Sequence, residues 1–241
     1  PTRRSSDLAY SEGNLARTLL ITENSITGFQ KNGMAIIGGD LTATVTGNIV
    51  TGVGPTGVTA QNGIQISGGA IASVSDNVVS DISWTGTQWT ASGILISSAG
   101  ATTAVGTNVV TDCQTGLYWY MSSGGINGNT IVASGAGVGR VDAIYGMIVD
   151  PSLTPPVQPS PVDGGISPFT GRNRLSKTLG TYTVSVSGNY LRGDGNHGYG
   201  LFFYAYDGEI LNASVTNNDV LMWDYGMLFS AGTTGVLNVT A

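Results

Sequence analysis

Polar and apolar residues alternate along short segments of this chain, and an asparagine closes each segment. Ile or Val always stands three residues before the asparagine, and an apolar residue stands two residues after it. The alternation has the period of a β-strand, and the asparagine falls where a strand must turn. No segment sustains a helical period. The seven units are Ile21–Ile26, Val45–Val50, Val74–Val79, Val105–Val110, Ile126–Ile131, Val186–Leu191 and Val215–Val220.

A second motif, a glycine that opens a short apolar strand, alternates strictly with the first. Residues one and three positions after the glycine are large and apolar, so we expect them to face a core, with positions two and four facing outward. The interval from this glycine to the next asparagine is 13 to 18 residues, except for 43 residues between Gly146 and Asn189. The glycines are Gly33, Gly63, Gly93, Gly116, Gly146, Gly200 and Gly226.

Repeats of this length, built from short strands, predict a solenoid in which each coil buries its apolar edge against its neighbours. Stacked asparagine amides can bond the turn backbone and one another, so we expect an inward asparagine ladder. Over about residues 18–241 the repeat resembles the right-handed parallel β-helix, the pectate-lyase-like family. The predicted fold is therefore all-β, a right-handed parallel β-helix solenoid of about eight coils. Lyases, glycosidases, phage tailspikes and adhesins share this fold, so it names no function.

Composition and charge fit one elongated domain. The chain has 37 Gly and 10% charged residues, and no apolar run reaches the length of a membrane span. A formal net charge of −6 without a basic cluster argues against nucleic acid as a partner. The single Cys113 cannot form an internal disulfide and is predicted to be a small buried core residue.

Two segments depart from the repeat. Residues 1–8 agree with the translation of a common sequencing-library adapter, so we predict an artefactual leader, followed by a single β-helix domain over 9–241, a fragment truncated in mid-coil. Residues 151–180 hold six of the eight prolines and are predicted to form a loop insertion, because proline is excluded from central strands. The insertion is either a lid over a site or a variable decoration.

Large apolar residues, most of them aromatic, occupy outward positions in three successive glycine-initiated strands. They surround Asp150, which shares its strand position with Tyr120 and Tyr204. Exposed contiguous aromatics mark contact surfaces, and flat rings suit the C–H faces of sugars. The resemblance implies a substrate groove at this face, so we predict a polysaccharide cleft lined by Tyr118, Tyr120, Phe202 and Tyr204. The alternative is that the insertion packs on these rings and no ligand is involved.

Carboxylates and a histidine near the same face supply candidate catalytic groups. A carboxylate pair, or His with Asp, can perform general acid–base chemistry on a glycosidic bond. The only histidine, His197, lies in a glycine-rich loop with Asp194 nearby and Asp207 just beyond the following strand. Its His-Gly step resembles the Gly-His-Gly element of polygalacturonases, but the other motifs of that family are missing. A purely structural role for this histidine remains the alternative.

A lyase would instead use a basic residue, for which Arg192 is available, and usually Ca²⁺ held by several carboxylates. Whether the chain is an enzyme stays open, and glycoside hydrolase and polysaccharide lyase are the two activities in view. We expect no required cofactor and no metal site, with Ca²⁺ needed only for a lyase. The candidate catalytic residues are Asp150, Asp194, His197, Asp207 and Arg192.

A different outward surface lies two, four and six positions before each asparagine. It is rich in Ser and Thr and carries no charge, as at Thr42, Thr44, Thr46, Thr183 and Ser185. A flat Thr-rich β-helical face resembles ice-binding surfaces, although Thr is also favoured in any exposed strand.

We therefore expect an extracellular or cell-surface module that binds or processes a polysaccharide. The alternatives are a non-enzymatic structural surface protein, adhesin or tailspike-like protein, and an ice-binding protein. Homo-oligomers or end-to-end stacking of such a rod are further possibilities.

Overall fold

The computed structural model describes residues 7–11, 15–86, 90–134, 144–150, 180–195, 198–205 and 208–241. Every regular element within these ranges is a β-strand, and the strands pair in parallel in three sheets. The chain visits the sheets in strict rotation, and we call them A, B and C in the order in which it first enters them. One strand from each sheet makes one coil.

Sheets A and B each contain eight strands. Sheet A comprises β1 (Asp7–Tyr10), β4 (Asn32–Ile37), β7 (Asn62–Ser67), β10 (Ser92–Ser97), β13 (Thr115–Tyr120), β16 (Tyr145–Asp150), β19 (Tyr199–Ala205) and β22 (Tyr225–Ala231). Sheet B comprises β2 (Arg17–Thr22), β5 (Leu41–Thr46), β8 (Ile71–Ser75), β11 (Thr103–Gly106), β14 (Gly124–Asn127), β17 (Thr181–Ser187), β20 (Ile210–Thr216) and β23 (Val236–Thr240).

Sheet C contains seven strands. It comprises β3 (Ser25–Thr27), β6 (Ile49–Thr56), β9 (Val78–Trp84), β12 (Val109–Cys113), β15 (Thr130–Val132), β18 (Tyr190–Arg192) and β21 (Asp219–Leu221). Hydrogen-bonded neighbours in every sheet are three strands apart in the chain, as in β1-β4-β7. This order confirms the predicted right-handed parallel β-helix of about eight coils.

The β-helix begins slightly before residue 9, where the domain was predicted to start. Asp7 and Leu8, which fall in the predicted leader, lie in β1 and pair with Met34 and Ala35 of β4. The predicted insertion, 151–180, lies outside the described residues apart from Gly180.

Alternation along the strands places one side of each sheet in a continuous core. In β5, Leu41, Ala43 and Val45 are buried, whereas Thr42 and Thr44 are exposed. The same inward columns continue from coil to coil because Ala43 pairs with Ala72 and Val45 with Val74. The core is thus one stack of Ile, Val, Leu and Ala layers, which is how a repeat protein buries its apolar edges.

The asparagines form the predicted inward ladder. Each Nδ2 donates to the Oδ1 of the asparagine in the next coil at 2.9–3.0 Å. Each backbone N–H donates to the same oxygen at 2.9–3.1 Å. The second amide hydrogen satisfies a carbonyl of the preceding coil, as from Asn108 to Val74 at 2.9 Å. The ladder runs through Asn24, Asn48, Asn77, Asn108, Asn129, Asn189 and Asn218.

The residue before each ladder asparagine adopts a left-handed backbone conformation. Its φ lies between 54° and 67° in every coil. Gly, Asn and Asp tolerate this region, but a β-branched residue there is strained, and Thr107 with φ of 56° is such a case. The seven positions are Glu23, Gly47, Asp76, Thr107, Gly128, Gly188 and Asn217.

The repeated glycine of sheet A has a packing reason. A Cβ at Gly63 would lie 2.5 Å from the Gly93 carbonyl oxygen and 2.6 Å from Val79 Cγ1. At Gly116 it would lie 2.4 Å from Ile131 Cγ2. Glycine is therefore required where the next coil and the side chains of sheet C approach the strand most closely.

The single cysteine is buried and free, as the sequence predicts. Cys113 lies in β12 against the inner side of Gly93. Burial raises the pKa of the thiol well above its usual range. The thiol is therefore protonated at neutral pH and unreactive.

Candidate functional site

The outer face of sheet A carries three columns of side chains in its later coils. One column, directly before the repeated glycine, is Tyr145, Tyr199 and Tyr225. The next is Tyr118, Ile148 and Phe202, and the third is Tyr120, Asp150 and Tyr204. We call these nine residues the aromatic face.

The predicted inward and outward positions of these strands are confirmed. Leu117 and Trp119 belong to the core of the helix. Tyr118 belongs instead to a separate cluster on the outer side, with Tyr145, Ile148 and Phe202 buried in it. The aromatic face therefore packs as a second, smaller hydrophobic layer outside the helix.

The predicted exposure of this face is wrong for its central residues. Tyr118 is 4% exposed, Phe202 is 3% exposed and Asp150 is 1% exposed. One physical reason is that the rings cover one another. Between neighbouring strands the Tyr145 and Phe202 centroids are 5.9 Å apart, and within β19 those of Phe202 and Tyr204 are 6.2 Å apart. Tyr120, Tyr199 and Tyr204 remain partly exposed. An open cleft centred on Asp150 is thus not observed.

Asp150 lies at the end of β16 and accepts a hydrogen bond from a tyrosine. The Tyr118 hydroxyl donates to Asp150 Oδ2 at 3.2 Å. Burial, reinforced by the negative charge of Asp150, raises the pKa of Tyr118 well above its usual range. The same two causes raise the pKa of Tyr120. Both phenols therefore remain protonated and can act as hydrogen-bond donors at this end of the face.

A second buried carboxyl group, Glu209, adds to the site, and the sequence analysis missed it. Glu209 is 2% exposed and directly precedes β20. After burial itself, its charge is the main cause that raises the pKa of Tyr182, and it also raises that of Tyr120. Glu209 lies outside both sequence motifs, in the turn between sheets A and B, so no repeat position pointed to it.

The tyrosine column was also missed. Tyr145 and Tyr199 stack with centroids 5.3 Å apart and planes 13° apart, and Tyr199 and Tyr225 stack at 5.0 Å and 14°. Tyr145 is buried, Tyr199 is half-buried and Tyr225 is 56% exposed. A signal was present in the sequence, because Tyr directly precedes the repeated glycine in three successive strands.

The remaining candidate catalytic residues are not gathered around Asp150 in the described structure. Arg192 ends β18 in sheet C and is exposed, so it belongs to a different sheet from Asp150. Asp194 follows it in the turn from sheet C to sheet A and is half-buried. His197 and Asp207 lie outside the described residues, and their roles stay predictions.

A calcium site would need several oxygen ligands close together. Among the described residues, no group of three or more His, Cys, Asp or Glu side chains is placed to hold a metal ion. The described residues therefore do not supply the donor set that the lyase hypothesis requires. The described part of the chain also contains no helix that could span a membrane.

The Ser- and Thr-rich surface is the outer face of sheet B, and it is exposed as predicted. Thr42, Thr44, Thr183 and Ser185 are all exposed. None of the outward residues described from β5 to β20 is charged. Short hydrogen bonds link some of them between coils, such as Ser187 to Asn127 at 2.7 Å.

Comparisons of this chain with protein-family models, with curated proteins and with solved structures give no match.

Proposed function

We propose that this chain is an extracellular, pectate-lyase-like polysaccharide-binding module whose sugar site lies on the outer face of sheet A. The observation that carries the proposal is the column of Tyr145, Tyr199 and Tyr225, three parallel rings spaced 5.3 and 5.0 Å apart along the helix axis. An extended glycan is also a periodic chain, so a regular row of rings offers it equivalent contacts at successive coils.

Tyr199, in the middle of this column, provides both parts of a sugar contact. It is half-buried, so the exposed part of its ring and its hydroxyl group are available to a ligand. Amphipathic aromatic residues combine an apolar surface with a hydroxyl that donates or accepts a hydrogen bond. Burial, Tyr225 and Asp224 raise the pKa of Tyr199, so its hydroxyl remains a donor at neutral pH.

The geometry supports binding more than turnover. Asp150 is 1% exposed, so a substrate cannot reach its carboxyl group in the described arrangement. The carboxyl group instead accepts the hydroxyl hydrogen of Tyr118, which stabilises the inner part of the face. Processing by a hydrolase or lyase mechanism remains part of the hypothesis and is tested separately.

A glycan array tests the binding proposal, together with assays for new reducing ends and for unsaturated products. We expect array hits without either product, and Tyr199→Ala should weaken binding about tenfold, given ring contacts of ~1–3 kcal/mol. Tyr190→Ala is the matched control, since Tyr190 is a half-buried tyrosine on the outer face of sheet C. A protein that binds no glycan would favour the structural, adhesin or tailspike-like alternative.

The outer face of sheet B favours ice binding as a second candidate function. The observation in support is that its outward residues are exposed or half-buried, uncharged and rich in Ser and Thr. If this face acts, Thr44→Arg should abolish ice shaping, whereas Ser80→Arg on sheet C should not. Absence of ice shaping by the unmodified protein removes this candidate.

A further inference from the structure

The outer face of sheet A changes character along the helix axis. In β13, β16 and β19 it is aromatic, but in β4, β7 and β10 the same three columns hold small, amide or aliphatic residues. The column that contains Tyr145 continues as Asn32, Asn62 and Ser92. The column that contains Tyr118 continues as Ala35, Gln65 and Leu95. The two halves form one continuous strip of sheet.

Hydrogen bonds fix the orientation of the amides in the earlier half. Asn62 Nδ2 donates to Asn32 Oδ1 at 3.1 Å and to Gln65 Oε1 at 3.2 Å. Gln65 Nε2 in turn donates to Ser67 Oγ at 3.1 Å. We call Asn32, Asn62, Gln65 and Ser67 the amide platform. Because each bond holds one amide in place for the next, the groups at the edge of the platform are pre-oriented.

Unused hydrogen-bonding capacity remains on the two accessible members of the platform. Asn62 uses both of its amide hydrogens, but Gln65 uses only one. No side chain or carbonyl in the described part of the chain accepts from Asn32 Nδ2. Asn32 and Gln65 are half-buried, whereas Asn62 and Ser67 are buried. The half-buried Asn32 and Gln65 therefore present hydrogen-bond donors and acceptors outward, and the buried Asn62 and Ser67 hold them in place.

The platform is uncharged and has aliphatic neighbours. The nine outward residues of β4, β7 and β10 include no Asp, Glu, Lys or Arg. The nearest cation in sequence, Lys31, donates to the Ala60 carbonyl at the edge of the sheet. Ile37 and Leu95 lie partly exposed in the neighbouring columns. Amide groups beside aliphatic side chains match a ligand with hydroxyl groups and C–H faces.

We infer that the amide platform is a second subsite for the glycan of the proposed function, and that it selects a neutral chain over a polyuronate. A sugar hydroxyl both donates and accepts, so it can use the free amide hydrogens and the carbonyl oxygens of Gln65 and Asn32. A carboxylate would meet no cation among the nine outward residues of β4, β7 and β10 and would lose hydration without compensation there. The ligand runs along the helix axis, from the platform to Tyr199.

Calorimetric titration with defined hexasaccharides tests this inference, which rests on the proposed function. The neutral probes are β-1,4-linked hexamers of glucose, mannose, xylose and N-acetylglucosamine. The anionic probes are hexagalacturonate and the C6-oxidised glucose hexamer. We expect binding of at least one neutral hexamer, with an affinity that does not change between low and high salt because no ion pair forms.

Gln65→Leu should weaken that binding about tenfold, since it removes two modest hydrogen bonds while keeping a side chain of similar size. Asn127→Leu is the matched control, because Asn127 is an exposed amide on sheet B, and it should leave affinity unchanged. Circular dichroism and urea unfolding check that both variants keep the fold.

Each remaining outcome overturns a defined part of the proposals. Neutral binding that Tyr199→Ala weakens and Gln65→Leu does not would refute the platform and leave the proposed function standing. Tighter binding of either anionic hexamer would refute the preference for neutral chains. Failure of all six hexamers to bind, with no hits on the array, would refute the proposed function and the platform together.

Discussion

The asparagine turn between sheets B and C and the aromatic face of sheet A belong to the same coils but are built differently. In the turn, each ladder asparagine forms its hydrogen bond with the asparagine at the equivalent position of the next coil, as in the bond from Asn77 to Asn108. In two of the three columns of the aromatic face, neighbouring residues differ, as with Tyr120 and Asp150. A repeated interaction can therefore be predicted from one coil, whereas an irregular one depends on which side chains meet.

Breaking the ladder should give the largest effect on stability. Asn108→Ala removes bonds from Asn108 Nδ2 to Asn129, Val74 and Gly106, and two bonds that Asn108 Oδ1 accepts from Asn77. Several buried donors and acceptors would lose their partners, at about 1–3 kcal/mol each before relaxation. We expect a loss of about 4 kcal/mol in the free energy of unfolding, measured by urea denaturation.

The control for this variant is another asparagine with the opposite environment. Asn127 lies two residues before a ladder position but is exposed on the outer face of sheet B. Asn127→Ala should change the free energy of unfolding by less than about 0.5 kcal/mol. Equal effects of the two variants would show that the ladder contributes no more than a surface amide.

The aromatic face should respond to pH in a way that the ladder does not. Burial, and then Asp150, raise the pKa of Tyr118 in the folded protein above the value of about 10 expected in the unfolded chain. Below pH 10 both states hold the proton, so the contribution of the buried phenol to stability is complete. Above about pH 10 the unfolded chain releases its proton first, so the free energy of unfolding falls as pH rises.

Tyr118→Phe sharpens this prediction. The variant removes the hydroxyl bond to Asp150 and should cost about 1–2 kcal/mol at neutral pH. It should also make the decline of stability between about pH 9 and 11 less steep, although Tyr120 still contributes. Urea midpoints across this range measure both effects. An unchanged slope in the variant would contradict the assignment of the alkaline loss to Tyr118.

Structural features that repeat in every coil could be predicted from the sequence, whereas features that occur only once could not. Coil number, the ladder, the burial of Cys113 and the outward position of Tyr118 all follow from period and position within the repeat. The exposed fraction of a side chain does not follow from position in the repeat. Asp150 is buried among neighbouring side chains, and the way in which these pack together is not part of the repeat. Glu209 lies in the turn between sheets A and B, outside both sequence motifs, so neither motif indicated a buried carboxyl group there.

The tyrosine column shows that a pattern can be present and still be overlooked. Tyr145, Tyr199 and Tyr225 occupy one repeat position, directly before the glycine. The alternation that starts at the glycine leaves this position unassigned, although the structure places Tyr145 in the outer cluster. Including the residue before each glycine would have added three aromatic residues to the four predicted at this face.

The smallest expected effect tests strain within the regular turn. Thr107 has φ of 56°, a conformation that costs a β-branched residue about 1–2 kcal/mol. Its hydroxyl donates to the Gly106 carbonyl at 2.6 Å, which offsets part of that cost. Thr107→Gly should therefore raise the free energy of unfolding by up to about 1 kcal/mol, after the entropy cost of glycine is included. Asp76→Gly, at the same position one coil earlier, should gain less because Asp tolerates this conformation better. An equal gain at both positions would show that the β-branched side chain is not the source of the strain.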